Sequence, residues 1–355
     1  MEYLFLFGIP AIVIICTAII FKKTISKKEM AIQLVLALVV AVASMSLSYH
    51  SQIADHEIWS GYVTGKERNE VSCEHSYKCN CYDSCSTDSK GNRSCVEVCQ
   101  TCYEHNYDVD WDVYSTVGSY TINRVDRQGL SKPSRWAEVK NDDPVMRKKH
   151  YKNYIKGAKN SLYNKKDIDL GRYKKYVPKY PSNIHDYYKL NKTILVNKFT
   201  MMERQSFNNE LVKINSRIGA KKQVNMIVIF VRELSQDFIY AIEKDWIGGK
   251  KNDAILVIGS NDNKTIAWTR VLALTKSTRF QVELEQAINA YGKIDKGLLP
   301  IFKDNVVKNF ERKPMKDFEY LKSSIKPTSK QLTISLIICL LLSIIGSVIM
   351  HKQEI

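Results

Sequence analysis

None of the compact motifs that announce a common chemistry occurs in this sequence. Its 355 residues hold no Gly-rich phosphate loop, no HExxH pair and no GxSxG elbow, which removes the P-loop NTPases, zincins and α/β-hydrolases from consideration. Acid is scarce as well, with 37 Asp and Glu against 53 Lys and Arg. That excess of base argues for acidic surroundings: phospholipid head groups, anionic polymers or nucleic acid. A merely lysine-solvated surface would have the same composition. Cysteine is almost missing outside one window. Cys16 and Cys339 stand alone in apolar runs, where a thiol acts as a small hydrophobe, and the other seven of the nine fall between Cys73 and Cys102.

Long apolar runs, by contrast, are present. Residues 3–21, 30–48 and 332–350 are each long and apolar enough to cross a bilayer. Lys22, Lys23, Lys27 and Lys28 fill the 22–28 loop between the first two. The positive-inside rule makes that loop cytoplasmic, so the N-terminus faces out, the region between about 49 and 330 is extracytoplasmic, and the tail HKQEI returns to the cytoplasm. Ala41, Val42 and Ala43 before Ser44 resemble a signal-peptide cleavage site, but signal peptides normally begin a chain and here another span precedes it. Either version places the middle region outside.

Segments 49–140 read as a cysteine-rich, β-rich module. Cys73, Cys79, Cys81, Cys85, Cys95, Cys99 and Cys102, with His75 and His105 beside them, could ligate zinc, for which thiolate and imidazole are preferred ligands. An oxidising compartment favours disulfides instead. Seven cannot all pair internally, so one is free, joins another chain, or belongs to a metal site. Just after the cluster, residues 107–114 alternate at period two: Asp108, Asp110 and Asp112 share one strand face, and Val109, Trp111 and Val113 the other. Three carboxylates in a row could hold calcium or a basic partner; they also describe the solvated face of a half-buried strand.

From 141 to 192 the composition turns basic and tyrosine-rich, as in a connector. Lysines with interleaved aromatics suit single-stranded nucleic acid, but outside the cytoplasm they fit a membrane surface or an anionic polymer better. The structural alternative is a connector whose tyrosines pack on the neighbouring domain.

Regular signals begin at Lys192. Residues 193–199 read as a short strand, 201–218 as a helix, 224–231 as a buried strand, 238–246 as a helix, 254–259 as a second buried strand, and 265–274 as a third strand after the turn SNDNK. Helices follow at 280–291 and 298–311, with 315–325 as a further extension. Uniformly apolar strands around a crossover helix predict a sheet covered on both faces, hence α/β with a central mixed sheet and flanking helices. The domains expected are therefore 1–48 (two spans), 49–140, 141–192, 193–325 (the α/β unit) and 331–350 (the third transmembrane helix).

Over residues 193–310 the chain resembles the TPM domain, an extracytoplasmic α/β module of membrane-anchored bacterial and thylakoid-lumen proteins. The likeness rests on the order of elements and on KDWIGGKKNDAILVIGSNDNKTIAW. Thr269 and Arg270 stand where the family usually has a glycine. The resemblance implies either an accessory factor for membrane complexes or a metal-dependent (acid) phosphatase. For the second, Asp253 and Asp262, with Asp245 nearby, are the matching carboxylates; without it, Asp253 caps a turn and Asp262 is an ordinary hairpin residue. The first half resembles uncharacterised membrane proteins of bacteria and bacteriophages.

The reading that follows is a membrane-anchored extracytoplasmic binding or accessory module acting on another envelope protein or anionic surface. It is non-enzymatic and requires no cofactor. The alternatives are calcium or zinc at the residues named above, or hydrolysis at the aspartates. Nucleic acid is not the expected partner.

Overall fold

The computed structural model describes residues 4–21, 26–87, 89–161, 171–182, 184 and 191–353. Lys22 and Lys23 of the basic loop and Tyr163, Tyr187 and Tyr188 of the connector lie outside them. Helix α1 (Leu4–Ile20) leads to α2 (Lys27–Ile53). A capping box starts α2: Ser26 accepts from the Glu29 amide while the Glu29 carboxylate accepts from the Ser26 amide. No linker follows α2, because strand β1 (Ala54–Val71) begins at the next residue.

After β1 come β2 (Ser76–Thr87), β3 (Arg93–Tyr103), β4 (Asp108–Ser115), β5 (Tyr120–Ile122), the short helix α3 (Ser134–Glu138), β6 (Pro144–Lys152) and the single-turn helix α4 (Tyr154–Gly157). Strands β5-β4-β1-β6 form one antiparallel sheet. Its long central strand is shared end to end: Ala54 to Tyr62 pair with β6, and Val63 to Val71 pair with β4. β2 and β3 stand apart as a hairpin. Part of the expected connector is thus sheet. Its RKKHYK run is mostly exposed, so composition alone reads as linker while Val145 and Met146 just before it are buried.

The second layer begins with β7 (Thr193–Val196), then α5 (Arg204–Lys222), β8 (Asn225–Arg232), α6 (Phe238–Asp245), β9 (Asp253–Ser260), β10 (Trp268–Ala273), α7 (Thr278–Tyr291) and α8 (Leu298–Asn309). The sheet order is β10-β9-β8-β7, parallel from β7 to β9 with β10 antiparallel at the edge. Burial on both faces explains the unbroken apolar runs. Met226, Val228, Phe230, Leu256 and Ile258 pack under α5, α7 and α8, whereas Ile227, Ile229, Val231, Ile255 and Val257 pack under α6, Trp246 and Tyr173. Gly259 is required beneath Trp268, since a Cβ there would lie 2.0 Å from the indole ring.

Helix α5 joins the two layers. Phe207 and Leu211 enter the α/β core, while Val212 reaches Ile58 and Met146 of the first sheet. Gly219 lets the helix touch β1, where a Cβ would come within 2.8 Å of the Ser60 carbonyl oxygen. A 3-10 helix (Met315–Ser324) then leads to α9 (Ser329–Gln353). Phe318, Leu321 and Ile325 pack with Ile53, Tyr154 and Ile155 into a collar where α2 meets the sheets.

Helices α1, α2 and α9 pack together. At one end Ser347 bonds Thr17 (2.9 Å) and Gln33 (3.4 Å); at the other Gln331 donates to Ser51 (3.1 Å). Two of the three, α2 and α9, are long and apolar enough to cross a membrane, and α1 is a shorter apolar helix beside them.

Candidate functional site

A two-stranded hairpin cannot bury enough surface to hold itself together, and β2–β3 solves this covalently. Disulfides join Cys79–Cys102, Cys81–Cys99 and Cys85–Cys95. Three rungs fix its register, including the irregularity between Cys79 and Tyr82. Alternation places Tyr77, Tyr82, Val96 and Val98 on one side, and all four are exposed. Beyond each other the two strands make no substantial contact with any described element.

Cys73 is the odd thiol. It is buried and unbridged, with Sγ 3.5 Å from the His75 carbonyl oxygen. His75 Nε2 lies 2.5 Å from the Arg127 guanidinium, and His105 is half-buried beyond β3. Among the described residues the metal-ligand types converge at Cys81, Glu97 and Cys99, and two of those sulfurs are already bonded to each other.

The aspartate row of β4 is present, but it faces protein rather than open solvent. Arg124 reaches Asp110 (2.6 Å) and Asp108 (3.2 Å), while Asp112 accepts from Thr121 (2.6 Å) and Asn69 (2.7 Å). The Glu74 amide, then Arg124, hold the Asp108 carboxyl below its ordinary range. A guanidinium fork therefore takes the place a cation would occupy.

The three aspartates of the α/β unit are not brought together. Asp245 is exposed at the end of α6. Asp262 closes its own turn, accepting from the Lys264 and Thr265 amides (2.8 and 2.7 Å) and from the Ser260 and Thr265 hydroxyls. Those amide bonds hold its carboxyl far below the ordinary range. Asp253 sits at the opposite end of β9, about 23 Å away along a strand rising ~3.3 Å per residue.

Asp253 instead belongs to a buried polar seam between the sheets. Lys192, Asn225 and Asp253 lie side by side at the starts of β7, β8 and β9. Lys192 Nζ donates to Asn225 and, at 3.1 Å, to Ser60 of β1; Asn225 donates to Asp253 at 2.7 Å. Tyr180 donates to both Asp253 oxygens (3.0 and 2.9 Å) and the Lys250 amide to one (2.7 Å). Burial pushes the Asp253 carboxyl up to about 6 against those bonds, and it pushes the Lys192 ammonium down to about 7.

Toward the collar the seam continues through opposite charges. Lys250 contacts Asp55 at 2.6 Å, where Asn153 and Tyr151 also donate. Burial works against the Asp55 charge, yet Lys250 and these bonds keep its carboxyl below the ordinary range. Arg312 grips both Glu57 oxygens at 2.7 Å, and Lys251 lies 3.4 Å from the same group. Sequence reasoning missed Lys192, Asn225, Asp55, Glu57 and Arg312. The available signal was a polar residue at the mouth of an otherwise apolar strand, as at Lys192 and Asn225.

The basic connector contributes here too. Tyr180 stands edge-on to Trp246 (5.1 Å) and Tyr173 to Phe238 (5.9 Å), so these rings are structural. A groove of about 1120 Å³ between residues 138–145 and α5 has much of its charge already paired: Arg217 with Asp142 (3.0 Å) and Arg135 with Glu138 (3.7 Å).

The chain matches no protein-family model, no curated protein and no solved structure.

Proposed function

We propose that this protein is a three-span, membrane-anchored accessory module, with a TPM-like α/β half, that presents its disulfide-stapled hairpin to another envelope component outside the cytoplasm and performs no catalysis. The observation that carries the reading is the hairpin. Three covalent rungs rigidify an arm that exposes Tyr77, Tyr82, Val96 and Val98 on one face and makes no substantial contact with any other described element. Rigid aromatic and β-branched side chains lose little entropy on docking, which is what a recognition surface requires.

The phosphatase alternative needs convergent carboxylates open to solvent. Asp253 is buried with its oxygens occupied by Tyr180 and Asn225, and Asp262 is engaged by its own turn. Supporting the envelope location are the disulfides, the two long apolar helices and the basic loop.

A photocrosslinker at position 82 of the full chain, in its native membrane, tests the arm. A discrete adduct is expected that disappears in Tyr77→Ser/Val98→Ser and persists in Asp253→Asn. An adduct indifferent to the hairpin substitutions, or phosphate-ester turnover by the purified chain that Asp253→Ala abolishes, overturns the proposal.

A further inference from the structure

Where α2 ends and α9 begins, a cavity of about 480 Å³ opens beside the collar. Lys156, Lys159 and Lys244 line it, and among the described residues no acidic side chain does. Lys156 spends one N–H on the Ala54 carbonyl oxygen (2.6 Å), which holds its stem in place and leaves two donors. The first turn of α9 adds the positive end of a helix dipole, with Thr328 and Gln331 at the cavity wall. Gln52 supplies an independent sign of a missing partner. It lines the same cavity, is 9% exposed, and its Oε1 is buried with no hydrogen-bond partner among the described residues. Such an acceptor is costly unless something donates to it. Ile247 completes the wall with an apolar surface.

The level of the cavity identifies the ligand. The Gln331–Ser51 bond holds the ends of α2 and α9 side by side, and among the described residues these are the two helices long and apolar enough to cross a membrane. A pocket at their common end lies where head groups lie.

We propose that this cavity binds the head group of an anionic phospholipid bearing a free hydroxyl, of the phosphatidylglycerol type. The phosphodiester sits among the three lysines at the α9 N-terminus, and a glycerol hydroxyl donates to Gln52 Oε1. This rests on the membrane-anchored reading above, and it adds a lipid that sets the body's height and orientation on the bilayer.

The full chain in nanodiscs of phosphatidylcholine doped with phosphatidylglycerol or phosphatidic acid decides it, read as retained lipid by native mass spectrometry. Phosphatidylglycerol should be retained at least about tenfold over phosphatidylcholine, given roughly one favourable increment per lysine near the surface. Lys156→Gln/Lys159→Gln/Lys244→Gln should abolish the enrichment with the melting temperature unchanged, and Gln52→Leu should erase the preference over phosphatidic acid. Equal retention of the lipids, enrichment that survives the triple substitution, or displacement by millimolar inorganic phosphate, which would mark a soluble-anion site, overturns the proposal. Carbonate extraction separates the two readings. A chain that resists extraction but shows no lipid preference defeats this inference alone, whereas a chain that is extracted defeats the anchoring as well.

Discussion

Lys192 and Asp253 show how far a single residue can be read. The sequence marks Lys192 only as the point where regular structure begins, yet its ammonium is fully buried between Ser60 and Asn225. Its proton affinity is lowered by burial to about 7, so from pH 7 to about 10 the unfolded chain binds more protons than the folded one and stability rises with pH. Asp253 behaves oppositely: its carboxyl is raised to about 6, so between about pH 4 and 6 the folded chain holds the extra proton and stability falls as pH rises. Their joint contribution is therefore smallest between pH 6 and 7. Chemical denaturation across pH should show both limbs, each with a slope of up to about 1.4 kcal/mol per pH unit. Lys192→Met should flatten the alkaline limb and Asp253→Asn the acidic one; an unchanged profile in both would refute the assignment. Neither shift is legible locally, because burial comes from groups on other elements, Ser60 of β1 against Lys192 and Tyr180 and Asn225 against Asp253.

At the scale of elements, periodicity served the α/β half well. The buried runs at 224–231 and 254–259 became β8 and β9, and the amphipathic stretch at 280–291 became α7. It did not mark β6, where the basic run RKKHYK reads as a linker. Two predictions belong here. Gly219→Ala should cost about 1–3 kcal/mol in unfolding free energy by forcing α5 off Ser60, whereas the same change at Gly65, which meets nothing nearby, should cost far less. Opening the central rung with Cys81→Ser/Cys99→Ser should raise amide exchange throughout β2 and β3 and leave the global melting temperature in place, since the hairpin contributes to neither sheet core. Alkylation without reductant should then find the three thiols of Cys16, Cys73 and Cys339 in the wild-type chain, and all nine after reduction. Stoichiometric zinc bound to unbridged thiols would contradict the bridges.

The whole molecule is organised around the junction of α2 with β1. Helix α2, about 40 Å long at ~1.5 Å per residue, runs directly into β1, and β1 is the strand on which the first sheet, α5 and the polar seam all converge. With the proposed topology, Leu130→Cys, which sits on an exposed loop, should react with an impermeant maleimide in intact cells, and Lys352→Cys only after permeabilisation. The reverse pattern would invert the orientation.

What the sequence determined by itself is what short-range physics encodes. Apolar runs of about twenty residues, a lysine-rich loop, alternation at period two or 3.6, and a crowd of cysteines each act within a few turns of chain and need no partner to be recognised. Tertiary structure alone decided the pairing of Cys81 with Cys99, the capture of Asp108 and Asp110 by Arg124, the burial of Lys192 against Ser60 of β1, and the gathering of three lysines at one cavity. Each joins groups that chain entropy keeps apart until a specific packing brings them together, and that packing depends on shape complementarity between elements, which no local pattern records.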